Sequence, residues 1–434
     1  MAITLRMRPE RRFLRLQGSE THIDFQIQVE QVAEKVKEQR IPLTLALVLD
    51  RSGSMAGGKI NTAKKAALTL LDHLDERDQI AVVVYDDQID TVQALTKVTP
   101  AAKTAISKQL EKIEARGATA LHEGWLTGCN AIAGDALPGQ KQGLSRCFLL
   151  TDGLANQGLT DTEQIAVQAG GIRSNAGIST STFGIGEDYN EALLGPMAVA
   201  GGGQFHHLRK TSEIVSTFMG ELGELFSVLA SQVCLEIEVR EGVTTKVISA
   251  YWSQEVSPTR QSLTIGDLLG GEERHVIVNV VFPEQQKLDG QTVRARIVWQ
   301  EGGQKRQSDW QELWLSYADE RLCEKELPDP HVVQLVGEQK VDQAKREALK
   351  LNQQRDQQGA QQVLREANVY LQANIPYQQG LQTEADGLSW ISQEMEKSPG
   401  APMAPGFVKE AYYQSHLRSR AQRDHRAPKD PEEE

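Results

Sequence analysis

The feature that most constrains this chain is a repeated alternation, beginning at Pro42, between short uninterrupted apolar runs and amphipathic stretches. The runs are Leu43–Leu49 (LTLALVL), Ile80–Tyr85 (IAVVVY), Cys147–Thr151 (CFLLT) and Ile178–Ile185 (ISTSTFGI). Their β-branched content and their lengths of five to eight residues predict strands buried on both faces, the pattern of a parallel sheet. Between them, Lys59–Leu74, Ala101–Ile113, Leu121–Ala133 and Thr162–Asn175 space apolar residues three or four apart with few helix breakers, and predict helices. The alternation predicts an α/β class fold, a doubly wound, mostly parallel sheet with helices on both faces. Ligands of such folds bind in the crevice beyond the carboxyl ends of the strands.

The pattern ends with a helix predicted over Ser212–Ala230, and from Cys234 to Leu315 the apolar period becomes two, as in CLEIEVR, RHVIVNVVF and TVRARIVWQ. This predicts a small antiparallel β-sandwich over residues 232–318. Phe13–Val29 alternates in the same way, so residues 1–38 are expected to complete that β domain around an α/β unit at 39–231. Beyond Pro328 and Pro330 the chain turns to Gln, Ala, Glu and Lys. Helical spacing over His331–Gln357 and Ala360–Ala373, separated at Gly359, with a further helix near Gly380–Lys397, predicts a helical hairpin region at 331–398, similar to one tetratricopeptide-type unit. The mixed charge of 399–434 predicts a disordered tail. A chain of 434 residues, against about 150 for a typical domain, accommodates these unequal units.

Composition narrows the function. Asp and Glu number 59 against 47 Lys and Arg, a formal charge of −12, which argues against gripping nucleic acid through a net positive field. Cys129, Cys147, Cys234 and Cys323 lack the spacing of a structural zinc site and read as reduced, buried thiols. Five arginines interrupt the apolar residues of the first fifteen positions, so no secretion signal is expected. No apolar run reaches the roughly 20 residues of a membrane span, so a cytoplasmic location is expected.

Chemistry concentrates at the carboxyl end of the first core strand, in Asp50-Arg51-Ser52-Gly53-Ser54-Met55. A turn through Gly53 can aim Asp50, Ser52 and Ser54 into one concavity, where three hard oxygens suit Mg²⁺, Mn²⁺ or Ca²⁺ better than zinc or copper. Two more oxygen donors fall where the topology brings them near: Thr119 in GATAL, before a helix, and Asp152 in LLTDG, after a strand.

DxSxS after an apolar strand, then the GATAL loop, then TDG after another strand, resembles the von Willebrand factor A domain and its metal-ion-dependent adhesion site. The stretch FGIGEDYNEALLGPMAVAGGGQFHHL resembles the family's final strand, helix and strand, and the similarity spans roughly residues 40–230. The flanking segments are similar to those of bacterial cytosolic proteins that carry this domain with a β-sandwich and a helical carboxyl-terminal region. The resemblance implies one divalent ion, usually Mg²⁺, with Ser52, Ser54 and Thr119 as hydroxyl ligands and Asp50 and Asp152 binding directly or through water. A partner's Asp or Glu would complete the shell, making the chain a non-enzymatic adaptor or scaffold. Relatives that work beside AAA+ ATPases extend the same expectation to such assemblies. Two carboxylates offset a divalent ion, so the site is neutral overall and still electrophilic toward a third.

Enzyme readings are weaker. A haloacid-dehalogenase-type nucleophile needs a second Asp where Ser52 stands, and neither a phosphate-binding Gly-x4-Gly-Lys loop nor a complete dinucleotide fingerprint occurs. A metal-dependent hydrolase or phosphatase using the same ion is the alternative. His206 and His207 read as a solvated strand edge, Asp86, Asp87, Glu187 and Asp188 as either crevice rim or turn residues, and the tryptophans as packing. Tyr412, Tyr413, Arg418, Arg420, Arg423 and Arg426 could meet a partner or an anionic surface, an idea weakened by the adjacent acids.

Overall fold

The structure, a computed structural model, describes residues 3–31, 40–133, 143–286, 289–397 and 403–426. Three strands come first: β1 (Ile3–Pro9), β2 (Phe13–Arg15) and β3 (Ser19–Val29). An α/β unit follows, comprising β4 (Leu43–Asp50), α1 (Gly58–His73), β5 (Gln79–Tyr85), β6 (Ile89–Lys97), α2 (Pro100–Glu111), α3 (Leu121–Ala133), β7 (Leu144–Thr151), α4 (Thr162–Ala176), β8 (Ile178–Ile185), α5 (Glu191–Ala200), β9 (Gly202–Leu208) and α6 (Glu213–Leu225).

Its sheet runs β6-β5-β4-β7-β8-β9, parallel except for β6. Alternation along β4 explains the layers. Leu45, Leu47 and Leu49 pack with Ile60 and Leu70 of α1, Ile106 of α2 and Phe218 of α6, while Ala46 and Val48 pack with Trp125 of α3, Ile165 of α4 and Leu193 of α5. Both faces are thereby covered, and the doubly wound α/β class expected from the apolar runs is the observed one. Strand β6 escapes that reading because it is an antiparallel edge strand, half-buried, with polar residues breaking up its apolar ones.

The chain then forms β10 (Val228–Glu238), β11 (Thr244–Val247), β12 (Trp252–Ser257), β13 (Arg260–Leu269), β14 (Glu273–Phe282), β15 (Gly290–Glu301), β16 (Gln304–Gln307) and β17 (Gln311–Ala318). These strands and the first three make two sheets, β1-β3-β14-β11 and β12-β13-β10-β15-β17-β2, with β16 beside β15. Ile23, Phe25 and Ile27 of one sheet and Leu235, Ile237 and Ile297 of the other belong to one buried core. Strand β3 lies antiparallel to β14 across more than 240 residues of sequence, so the chain enters this β unit before the α/β unit and returns to it afterwards.

A short α7 (Glu320–Lys325) leads to α8 (Pro330–Gln353), α9 (Gln357–Asn374) and α10 (Leu381–Lys397), which share an apolar core. Gly359 does not separate the first pair. The break falls at Arg355, at φ +63°, and Gly359 lies in the first turn of α9, donating its N–H to the capping Asp356 carboxylate.

The expected disordered tail is corrected for residues 405–420, which form α11 (Pro405–Arg420); residues 399–402 and 427–434 lie outside the described residues. Blocky charge suggested solvation, but Val408, Tyr413 and Leu417 are buried, and the charges find internal partners. Lys409 pairs with Glu191 of α5 at 2.7 Å, Arg418 with Asp342 of α8 at 2.7 Å, and Arg426 with Glu410 and Asp424. The basic cluster therefore ties α11 to the α/β unit and to α8, with only Arg423 well exposed.

Candidate metal centre

Parallel register places Asp50 opposite Tyr85 and Leu49 opposite Leu150, so the carboxyl ends of β4, β5 and β7 open on one edge. Asp50 leaves β4 fully buried. Its Oδ1 accepts the Ser52 N–H at 2.7 Å, a local turn of the kind Asp favours, and its Oδ2 accepts the Thr151 hydroxyl at 2.6 Å. Ser52 Oγ and Ser54 Oγ stand 3.1 Å apart, and the Ser54 hydroxyl donates to Asp152 Oδ1 at 2.6 Å. Lys59, in the first turn of α1, ion-pairs with Asp152 Oδ2.

The loop before α3 is stitched to the same place. Arg116 N–H donates to Arg51 O at 2.7 Å and Gly53 N–H to Gly117 O at 3.1 Å. Gly117 sits at φ +71°, a conformation that favours glycine, and faces the exposed Asp87 carboxylate. Thr119 N–H donates to Asn156 Oδ1 at 2.9 Å, and Asn156 N–H returns a bond to Thr119 O at 3.2 Å. Gly153 closes the cradle: a Cβ there would stand 3.3 Å from Ser54 Oγ and 3.6 Å from Thr119 Oγ1, filling the space that those hydroxyls line. The five residues Asp50, Ser52, Ser54, Thr119 and Asp152 thus converge.

The electrostatics are unusual for a buried carboxylate. Burial pushes Asp50 up to about 6, against opposition from the Thr151 and Ser52 hydrogen bonds and with a further upward contribution from the Asp152 charge. Among the described residues no Arg or Lys is paired with Asp50, and Asp152 has only Lys59. Two carboxylates and three hydroxyls around a cradle with one ammonium at its edge fit a hard divalent cation, and these residues could hold one.

Asp86, one strand over, belongs to a different arrangement. It is buried and bound by Arg51 at 3.1 Å and Arg116 at 2.6 Å. Asp87 lies against Gly117, while Glu187 and Asp188 are exposed past β8, with Glu187 beside Gly406 near the start of α11. His206 and His207 are buried rather than at a solvated edge: His206 pairs with Glu221 at 2.6 Å and His207 Nδ1 meets the Tyr189 hydroxyl at 2.9 Å. Of the tryptophans, Trp125 is core, Trp310 lies under the guanidinium groups of Arg260, Arg294 and Arg296, and Trp314 is exposed. Sequence reasoning missed Thr151, Asn156 and Lys59. Thr151 and Asn156 flank Asp152 in TDGLAN, which is the only local signal they carry.

The profile of the von Willebrand factor type A domain matches residues 44–219. Among curated proteins, the chain is 30% identical to the uncharacterized protein sll0103 of Synechocystis sp. over 60% of this chain and 61% of that one. It is 29% identical to the uncharacterized protein YfbK of Escherichia coli over 51% and 38%, and 29% identical to inter-alpha-trypsin inhibitor heavy chain H3 of Rattus norvegicus over 45% and 22%. The match spans less than two thirds of each of these relatives. Among solved structures, the von Willebrand factor type A protein from Catenulispora acidiphila superposes with a TM-score of 0.71 at 18% identity, covering 95% of this chain and 96% of that one. The ArnB paralog VWA2 from Sulfolobus acidocaldarius follows with 0.58 at 16% identity, covering 95% and 98%. No helix among the described residues is long and apolar enough to cross a membrane. The profile match, the six-stranded sheet and the fold shared with these structures together establish that residues 44–219 of this chain form a von Willebrand factor type A domain.

Proposed function

We propose that this chain is a non-enzymatic, metal-dependent adaptor whose von Willebrand factor A domain holds Mg²⁺ through Asp50, Ser52, Ser54, Thr119 and Asp152 and captures an Asp or Glu of a protein partner. Such domains commonly serve as protein-interaction modules. The observation that carries the reading is the fully buried Asp50 carboxylate, which among the described residues has hydroxyl and N–H donors but no basic partner, in a cradle shared with Asp152 and three hydroxyls. The bound ion would supply a desolvated electrophile for an incoming carboxylate. The protein's own work is positional: Thr151 and the Ser52 N–H orient Asp50, Asn156 fixes the Thr119 loop, and Ser54 and Lys59 hold Asp152 until the ion enters.

The β unit and the carboxyl-terminal helices would present this domain within a multiprotein, cytoplasmic assembly, with an AAA+ ATPase as the most concrete form of it. The test is affinity capture from the native host with wild-type and Ser52→Ala baits, each in Mg²⁺ and in EDTA. A partner that is lost on chelation and in the variant, and whose capture fails when one of its own acidic residues is replaced, supports the reading. A partner retained in EDTA, or metal-dependent phosphate release from generic phosphoesters, contradicts it.

A further inference from the structure

A second cluster of metal-ligating side chains lies on the β unit, away from the von Willebrand factor A cradle. Asp24 of β3, His275 of β14 and His331 in the first turn of α8 each offer one ligand atom, and these atoms all lie within 4.8 Å of one another. Sequence separates them by 251 and 56 residues, and the fold brings them together in two steps. Antiparallel pairing sets Asp24 opposite Ile277 and Gln26 opposite His275, so Asp24 and His275 are diagonal neighbours on the face that points away from the β core. Val332 and Val336 of α8 then pack on Ile277 and Ile248, which brings the start of that helix, and His331 with it, over the same spot.

The three side chains stand close enough to share one ion. His275 Nδ1 stands 3.0 Å from both oxygens of Asp24. Two atoms each about 2.0–2.2 Å from a shared ion stand about 3.0–3.5 Å apart, so little movement is needed to admit one. On the far side of the ring, His275 Nε2 faces Glu273 Oε1 at 2.9 Å, which supplies the carboxylate that commonly orients a metal-bound imidazole through its other nitrogen. The His331 ring meets His275 edge to face at 5.6 Å, and its imidazole has no hydrogen-bond or ion-pair partner among the described residues.

Asp24 is 2% exposed, and its carboxylate has His275 as its side-chain partner, so the spot is built for positive charge. A cleft of about 400 Å³ lined by Asp24, Gln26 and His331 gives access. Arg6, Arg8 and Glu312 line it too.

We propose that Asp24, His275 and His331 form a second metal site, for Zn²⁺ or a similar first-row divalent ion, with Glu273 orienting His275. Two imidazoles and a carboxylate leave at least one coordination position for water, and they select a softer metal than the all-oxygen cradle at Asp50 does. Binding replaces the Nδ1 proton of His275 and staples the first turn of α8 to β3 and β14.

The test uses the untagged full-length chain in saturating Mg²⁺, titrated with ZnCl2 by calorimetry and with CoCl2 by visible absorption. One high-affinity zinc per chain and a ligand-field spectrum are expected. His331→Ala, which alters an exposed side chain, should weaken zinc at least about tenfold and abolish the spectrum, Glu273→Gln should weaken it about tenfold, and Asp50→Asn should leave it unchanged. Zinc should also slow amide exchange in the first turn of α8 in the wild type and not in His331→Ala. Absence of zinc binding to the wild type, or binding that survives His331→Ala, overturns the assignment.

Discussion

Carboxylates buried at the ends of the α/β sheet are met in opposite ways, Asp78 and Asp86 by arginines and Asp50 by hydroxyl and N–H donors. At the amino end, Asp78 is fully buried and fully answered: Arg40 grips both its oxygens, at 2.7 and 2.6 Å, and the N–H groups of Leu43 and Asp75 donate to it at 3.0 and 2.9 Å. Asp86, next to the cradle, is answered as well. Burial opposes its charge, but Arg116, the Gln88 N–H and Arg51 hold its carboxyl below the usual range. Asp50 is as deeply buried as either and has no such partner among the described residues. A permanent guanidinium makes a buried carboxylate into a structural pin; withholding one leaves the charge for a cation from outside. The difference between Asp86 and Asp50, one strand apart, therefore separates a structural ion pair from the proposed metal ligand.

The strongest way to break that comparison is to neutralise each acid. Asp50→Asn should weaken Mg²⁺ by more than about 100-fold, since even outer-shell changes cost about 10–100-fold, while leaving the chelated protein at least as stable as wild type. Asp86→Asn should instead destabilise the fold by about 2 kcal/mol by removing the carboxylate that Arg51 and Arg116 share and leaving Arg51 to Asp90, seen as a lower melting temperature in EDTA. Equal destabilisation by both variants would erase the distinction.

The two acids should also tilt the pH dependence of stability in opposite senses. Asp50 has its folded pKa raised from 3.8 to about 6, so in EDTA its contribution is fully present below the unfolded value and declines, by up to about 3 kcal/mol, as pH rises from about 4 to 6. Asp86, held low, contributes above the unfolded value and loses that contribution as pH falls. Melting curves across this range should show Asp50→Asn without the decline and Asp86→Asn without the acid loss.

Smaller effects sharpen the picture. Asn156→Ala should release the Thr119 loop and weaken Mg²⁺ about tenfold with little change in melting temperature. Lys59→Met removes the ammonium that competes for Asp152 and should raise Mg²⁺ affinity about threefold, read by the same titration.

Legibility in the sequence followed chain distance. Asp50, Ser52 and Ser54 share one turn, and the strands that carry Asp50 and Asp152 are buried on both faces, so composition alone betrays them. Strand β6 was hidden because a half-buried edge strand broken up by polar residues carries no apolar run. Helix α11 was hidden because its charges looked solvated, whereas Arg420 in fact reaches Gly203 O at 3.0 Å and Lys409 reaches Glu191. Asn156 and Lys59 act through contacts that only folding creates. The cluster of Asp24, His275 and His331 left no trace, since no spacing rule links residues from two strands and a helix so far apart in the chain.

Whether the Asp50 carboxylate holds a divalent ion, as proposed, is decided by Mg²⁺ titration calorimetry on this chain. A saturable site is expected in the wild type, and it should disappear in Asp50→Asn while the fold persists. Unchanged Mg²⁺ binding in that variant, or none in a folded wild type, would contradict the proposal.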